Sequence, residues 1–244
     1  MNEEMQSLHQ NGTWTLAKLP KGKKAIGCKW VYAKKEGFLN QGDVRNKESL
    51  ISKGYAQKER IDYNEVFSLV VKHSSIRILL ALVAKLDLEL VQIDVKTAFL
   101  NGELEEEIYI NQPQGFGEKG QEHKVCKLIK SLYGLKQAPR QWHIKFDEII
   151  LKNSFKINEY DKCVYYKRQD TNFIILCLYI DDILLLRTSL KIIQEIKGYL
   201  SNNFDMKDLG EADVILGMKL ERVENEIAIS LKSFFPGINN LKEI

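Results

Sequence analysis

Apolar positions along this chain recur with two distinct periods. "SSIRILLALVAKLDLE" spaces Ile76, Leu79, Leu80 and Val83 as one face of a helix, with Ser74 or Ser75 placed to cap it. "RQWHIKFDEIILKN" does the same with Trp142, Phe146 and Ile149 or Ile150, and "SLKIIQEIKGYLSNNF" with Ile192, Ile193, Ile196 and Leu200. Between these, "LELVQIDV" alternates as a strand and delivers Asp94 near its end. "CKWVYAKKEGFLNQGD" reads as a strand running into a Gly/Asn turn, and "KESLISKGYAQ" as its return, ended by Lys53 and Gly54. "EEEIYINQPQGF" is a short strand and a loop, while "DKCVYYKR" and "NFIILCLYIDDILLL" supply three β-rich runs. "EADVILGMKLERVENEIAISL" predicts a closing hairpin. The order implies an α+β fold: an antiparallel sheet backed by helices.

One apolar run carries an anomaly. "IILCLYIDDILLL" sets Asp181 and Asp182 side by side among residues that favour burial. A charge removed from water is costly unless it is paired or bound to a cation. One reading is a hairpin tip, with strands Cys177–Ile180 and Ile183–Leu186 joined by a turn in which aspartate is at home. The other is chemical: if the strands bearing Asp94 and the doublet are neighbours, three carboxylates converge and require a compensating cation. A hard divalent ion with oxygen ligands answers that need. Successive strand residues point to opposite faces, so two adjacent acids serve one site only near a turn. The residues alone leave both readings open.

Composition narrows the class. With 244 residues, 44% hydrophobic and 28% charged, the chain supports a sizeable core without staples. The net charge of +3 is mildly basic. Lysines crowd "LPKGKKAIGCKWVYAKK" without an acid and alongside Trp30 and Tyr32, a composition suited to a polyanion. Cys28, Cys126, Cys163 and Cys177 show neither a CxxC pair nor His at ligand spacing, which argues against zinc and a disulfide framework. The polar start "MNEEMQSLHQ" is no signal peptide, and charges interrupt every apolar run before it reaches membrane-spanning length. The expectation is an intracellular, cytoplasmic protein in a reducing compartment.

"LYIDDILLL" resembles the YxDD motif of reverse transcriptases. "KGKKAIGCKWVYAKK", "QIDVKTAFLNGELEEEIYI", "SLYGLKQAPRQW" and "NFDMKDLGEADVILGMKL" resemble, in unbroken order, the Ty1/copia class of retrotransposon polymerases. The resemblance implies a right-hand polymerase fold. Its fingers would span 1–75 and 105–140, its palm 76–104 and 141–222, and the start of a truncated thumb 223–244. It implies RNA-directed DNA synthesis with two Mg²⁺ (Mn²⁺ as a substitute), an RNA template, a DNA primer and dNTPs, within a virus-like particle when the element is intact. Asp94, Asp181 and Asp182 match the metal-binding catalytic aspartates, with Asp181 the stronger ligand of the doublet. Phe99 matches the aromatic that leaves no room for a ribose 2′-hydroxyl. Gln137 and Arg140, with Pro139 stiffening their loop, match the nucleotide-binding segment, and Lys34, Lys35 and Lys47 match cations facing the triphosphate. Leu216 and Gly217 match the hairpin that grips the primer.

Several positions depart from the pattern. Ser49 stands where a basic residue is expected, Leu69 where a proline is expected, and Arg187 falls near the aspartates where small residues are usual. No complete thumb, RNase H, integrase or protease segment is recognisable, so the chain reads as a fragment or a decayed copy.

Overall fold

The computed structural model describes residues 1–36, 44–64, 70–169, 172–187, 190–223 and 226–231. The chain forms two compact units, Met1–Leu69 with Thr97–Asn153 and Val70–Lys96 with Ser154–Ile244.

In the first unit, α1 (Asn2–Gln10) precedes β1 (Trp14–Ala17), and β2 (Cys28–Glu36) pairs antiparallel with β3 (Val44–Ser52). The unit also holds β5 (Tyr109–Ile110), β6 (Val125–Leu128) and α3 (Ala138–Lys152). A three-stranded sheet runs β1-β6-β5. Met5 and Leu8 of α1 join Leu50, Leu100, Ile110, Leu128 and Leu135 in one apolar core. Two glycines let the end of β3 approach the loop before α3. A Cβ on Gly54 would collide with the Gly134 carbonyl oxygen, and Gly134 itself sits at φ +90°.

In the second unit, α2 (His73–Leu86) buries Ile76, Leu79, Leu80 and Val83, the four positions its periodicity selects. It is followed by β4 (Glu89–Val95). After β7 (Lys156–Ile157) come β8 (Val164–Gln169), β9 (Asn172–Tyr179) and β10 (Asp182–Arg187). Then follow α4 (Leu190–Ser201), β11 (Met206–Glu211), β12 (Val214–Ile215), β13 (Met218–Val223) and β14 (Glu226–Leu231). Six strands form one antiparallel sheet in the order β11-β4-β10-β9-β8-β7. Along β10 every residue after Asp182 is buried, so both faces are covered there, which is why the run lacks polar alternation.

Three expectations change. Neither Ser74 nor Ser75 caps α2. The buried Asp161 carboxylate instead accepts the Lys72 N–H at 2.9 Å and the Ser75 hydroxyl at 2.6 Å, providing from outside the helix what a cap would have supplied. The closing hairpin is a three-stranded meander, β12-β13-β14, and "MKDLGE" before it adds β11 to the edge of the main sheet. Arg187 is not near the aspartates. It pairs with Glu89 at the far end of β4, five residues and roughly 17 Å along the strand from Asp182 and on the opposite face. The run stays extended past the doublet, and each residue carries it further away. Leu69 and residues 232–244 of the expected thumb lie outside the described residues. Among those described, no helix is long and apolar enough to cross a membrane.

Candidate active site

β4 and β10 are paired so that Asp94 stands directly opposite Asp182. On the outer sides of this pair, Lys207 of β11 faces Asp94 and Tyr179 of β9 faces Asp182. Directly paired residues share a sheet face, so Lys207, Asp94, Asp182 and Tyr179 form one row across four strands. Further along that face Leu184, Leu186 and Cys177 are buried, whereas Asp94 and Asp182 are half-exposed. The row marks where an apolar face becomes polar.

The doublet is joined to this row by a tight turn. Tyr179 and Asp182 are paired, with Ile180 and Asp181 as the two central residues. Ile180 has φ +55°, and Asp181 is outside the positive region, the sign pattern of a type II′ hairpin. Glycine normally fills the first central position, and a β-branched side chain there is strained. The Val95 N–H donates to the Asp181 carbonyl at 2.8 Å, which fixes the turn to the end of β4. One step further, the Lys96 ammonium meets Asp205 at 3.0 Å and the Lys96 N–H donates to the Asp205 carbonyl at 2.9 Å. Gln92, two residues before Asp94 on the same face, donates from Nε2 to Asp182 Oδ1 at 2.9 Å.

Two carboxylates directly opposite each other repel, and a hard cation relieves that repulsion. Asp94 and Asp182 therefore fit a Mg²⁺ ion in donor chemistry. Among the described residues, no group of three or more His, Cys, Asp or Glu side chains gathers as a complete ligand set. Mg²⁺ does not require one: it commonly takes one or two carboxylates and completes its shell with water and substrate phosphate. Thiol chemistry is disfavoured. Burial pushes the Cys126 thiol up to about 12, helped by Cys28 and Glu118, and Cys177 is raised mainly by burial too.

The remaining expected residues have their own settings. Leu216 and Gly217 are the central residues of the β12–β13 turn, both at positive φ (+53° and +75°), the type I′ pattern. Phe99, in a 3₁₀ turn of the first unit, is half-buried against Tyr133, the ring centroids 4.9 Å apart. Gln137 is 1% exposed. Its Oε1 accepts from Gln57 at 2.9 Å, and its Nε2 donates to the Asp62 carbonyl at 3.0 Å. Gln57 in turn accepts the Lys136 N–H at 2.8 Å, so Gln137 ties together three segments of the first unit. Pro139 lies in the first turn of α3, where its missing N–H is no loss, and Arg140 follows in the same turn. Lys34, Lys35 and Lys47 lie on the β2–β3 hairpin, and their side chains are outside the described residues. Ser49 is half-buried opposite Val31.

Gln92 and Lys207 were not anticipated. Gln92 had a signal, two residues from Asp94 on an alternating strand. Lys207 had none, because its strand pairs with β4 only through the tertiary fold.

The chain and its fold have known counterparts. The chain belongs to the reverse transcriptase (RNA-dependent DNA polymerase) family, whose model matches residues 11–242. It is 53% identical over 238 residues to the retrovirus-related Pol polyprotein from transposon TNT 1-94 of Nicotiana tabacum, a match covering 96% of this chain and 18% of that protein. It is 35% identical over 238 residues to the corresponding polyprotein from transposon RE1 of Arabidopsis thaliana, covering 96% and 16%. The chain thus spans less than a fifth of the length of these curated relatives. Among solved structures, apo telomerase from Candida tropicalis, truncated from its C-terminal domain, resembles it with a TM-score of 0.50. That match is 8% identical and covers 94% of this chain and 60% of the other, a likeness of fold alone.

Proposed function

We propose that this chain is the nucleotidyl-transfer part of an RNA-directed DNA polymerase. It would extend a DNA primer on an RNA template by attack of the primer 3′-hydroxyl on the α-phosphorus of a dNTP, releasing pyrophosphate. The observation that carries this reading is the direct pairing of Asp94 with Asp182 beside the Asp181 turn. Bound there, a pair of Mg²⁺ ions would supply charge neutralisation at the attacking and leaving oxygens. Asp94 and Asp182 provide the paired carboxylates for them, and Asp181 a third from the turn. The strained turn would fix the direction in which Asp181 projects. Leu216 and Gly217 would hold the primer end through a closely approaching backbone. By resemblance, Phe99 would exclude ribonucleotides, while Gln137, Arg140, Lys34, Lys35 and Lys47 would serve the nucleotide. The setting would be the cytoplasm, within a particle if the element is intact.

Primer extension on an RNA template with dNTPs and Mg²⁺ or Mn²⁺ tests this. Extension by the wild-type chain that is lost in Asp94→Asn and Asp181→Asn supports it; no extension, or equal extension by all three, ends it. The second reading, a nucleic-acid-binding remnant without turnover, is favoured by Ser49 and by the buried Arg187, whose guanidinium nitrogens have no hydrogen-bond partner among the described residues. Salt-sensitive binding of an RNA·DNA duplex without extension would select it.

A further inference from the structure

Leu90, Gln92 and Asp94 occupy one face of β4, opposite Leu186, Leu184 and Asp182 of β10. Leu90, Leu184 and Leu186 are buried. A strand position beside such neighbours favours an aliphatic side chain, and half-burying a primary amide there carries a desolvation cost. Gln92 nevertheless occupies it, and its Nε2 donates to Asp182 Oδ1 at 2.9 Å across the diagonal of the ladder. A glutamine retained only to face solvent would not reach across to a specific oxygen of the neighbouring strand.

We infer that Gln92 is a positioning residue that holds the Asp182 carboxylate in place and thereby sets how tightly the acidic row takes a divalent cation. The inference rests on the polymerase reading of that row. A neutral amide suits the task. It donates to a carboxylate without placing another positive charge beside the cation, which a lysine or arginine would do. Asp182 is anchored within the sheet by a side chain of β4, and the Asp181 main chain by the Val95 N–H donating to its carbonyl. Groups that orient metal-binding carboxylates from behind commonly change metal affinity or activity by about 10- to 100-fold when removed.

The test is a Mn²⁺ titration of the full chain, followed by loss of the free-ion electron paramagnetic resonance signal. It compares wild type, Gln92→Met, Gln92→Asn and Asp94→Asn. Methionine keeps the volume and apolar fit of glutamine, so Gln92→Met retains the wild-type thermal midpoint. Asparagine keeps the amide but falls one methylene short of Asp182. The expected result is a Mn²⁺ Kd weakened about 10- to 100-fold in both Gln92 variants. Where extension is measurable, its lost rate should be recovered by raising Mn²⁺, which would not repair a merely structural defect. Wild-type affinity in either Gln92 variant overturns the inference and leaves the polymerase reading standing. A wild-type chain that takes up no Mn²⁺, or no more than Asp94→Asn, overturns the metal reading and this inference with it.

Discussion

At one end of β10, Asp182 stands half-exposed opposite Asp94 and accepts an amide hydrogen bond from Gln92. At the other end, Arg187 is fully buried opposite Glu89, and among the described residues none of its three guanidinium nitrogens has a hydrogen-bond partner. Burial pulls the Arg187 pKa down, opposed by the fields of Glu89 and Glu195. One strand thus carries two charges under opposite regimes. The carboxylate keeps solvent and a polar neighbour, as a group that must meet a cation and a substrate would need. The guanidinium has lost water without gaining a hydrogen bond among the described residues, at a position where resemblance leads one to expect a small residue. The row keeps its carboxylates within reach of solvent, while five residues further along the same strand a buried charge carries a desolvation cost.

The largest effect should come from the carboxylate end. Asp94→Asn keeps the shape of the side chain and removes its charge, so extension should fall by about 10³ or more, with no loss of thermal stability. A variant with nearly wild-type extension rates would show that the row is not the site of transfer.

The guanidinium end should respond in the opposite sense. Arg187→Met replaces a buried charge that has no hydrogen-bond partner among the described residues with an unbranched apolar side chain of similar volume and should stabilise the second unit by about 3 kcal/mol. Urea denaturation monitored in that unit would measure it as a higher midpoint at unchanged slope. A destabilised variant would mean that Arg187 makes a contribution to the native state that its missing hydrogen bonds conceal.

The guanidinium end differs from what the sequence suggested, because strand registers are set by tertiary pairing. Helices α2, α3 and α4 were legible because their apolar periods are regular, and β4, β9 and β10 because their runs are apolar or alternate. β11 was not, since "MKDLGE" is an edge segment with mostly exposed residues and no alternation. Without β11, Lys207 could not be placed beside Asp94. Gln92 was overlooked because a polar residue on an alternating strand reads as solvent-facing. Arg187 was placed near the doublet because proximity in sequence was taken for proximity in space. Gln137 was recognised as a motif residue, but its burial against Gln57 and Asp62 depends on loops with no periodic signal. The aspartates themselves were legible, because charge inside an apolar run is a conflict that sequence alone exposes.

Smaller effects are expected at the two strained turns. Leu216→Asn would create the Asn-Gly pair that a type I′ turn favours and should stabilise the β12–β13 hairpin by about 1 kcal/mol. Ile180→Gly should gain a similar amount of about 1 kcal/mol from relieved strain, offset in part by the greater freedom of glycine in the unfolded chain. If the turn strain aims Asp181, that stabilised variant should extend primers more slowly. Faster extension by Ile180→Gly would remove strain from the account of the site.

The smallest effect lies where α4 holds the edge strand next to the row. Lys197 meets Asp208 of β11 at 2.6 Å. Partial burial alone would raise the Asp208 pKa, but the Lys197 ammonium and the Gly210 N–H outweigh it and hold the carboxyl below its ordinary 3.8. A carboxyl with a lowered folded pKa contributes stability that is fully present above the unfolded value. That contribution is lost as pH falls through the folded one, so the window lies below about pH 4. Because Asp208 is half-exposed and screened by salt, the increment should be only about 0.5 kcal/mol. Asp208→Asn should therefore be slightly less stable than wild type at pH 7, with the two converging in strong acid. A difference that persists at pH 2, or that is absent at pH 7 in low salt, would mean that the edge strand, and Lys207 with it, is held beside Asp94 by its backbone ladder rather than by this ion pair.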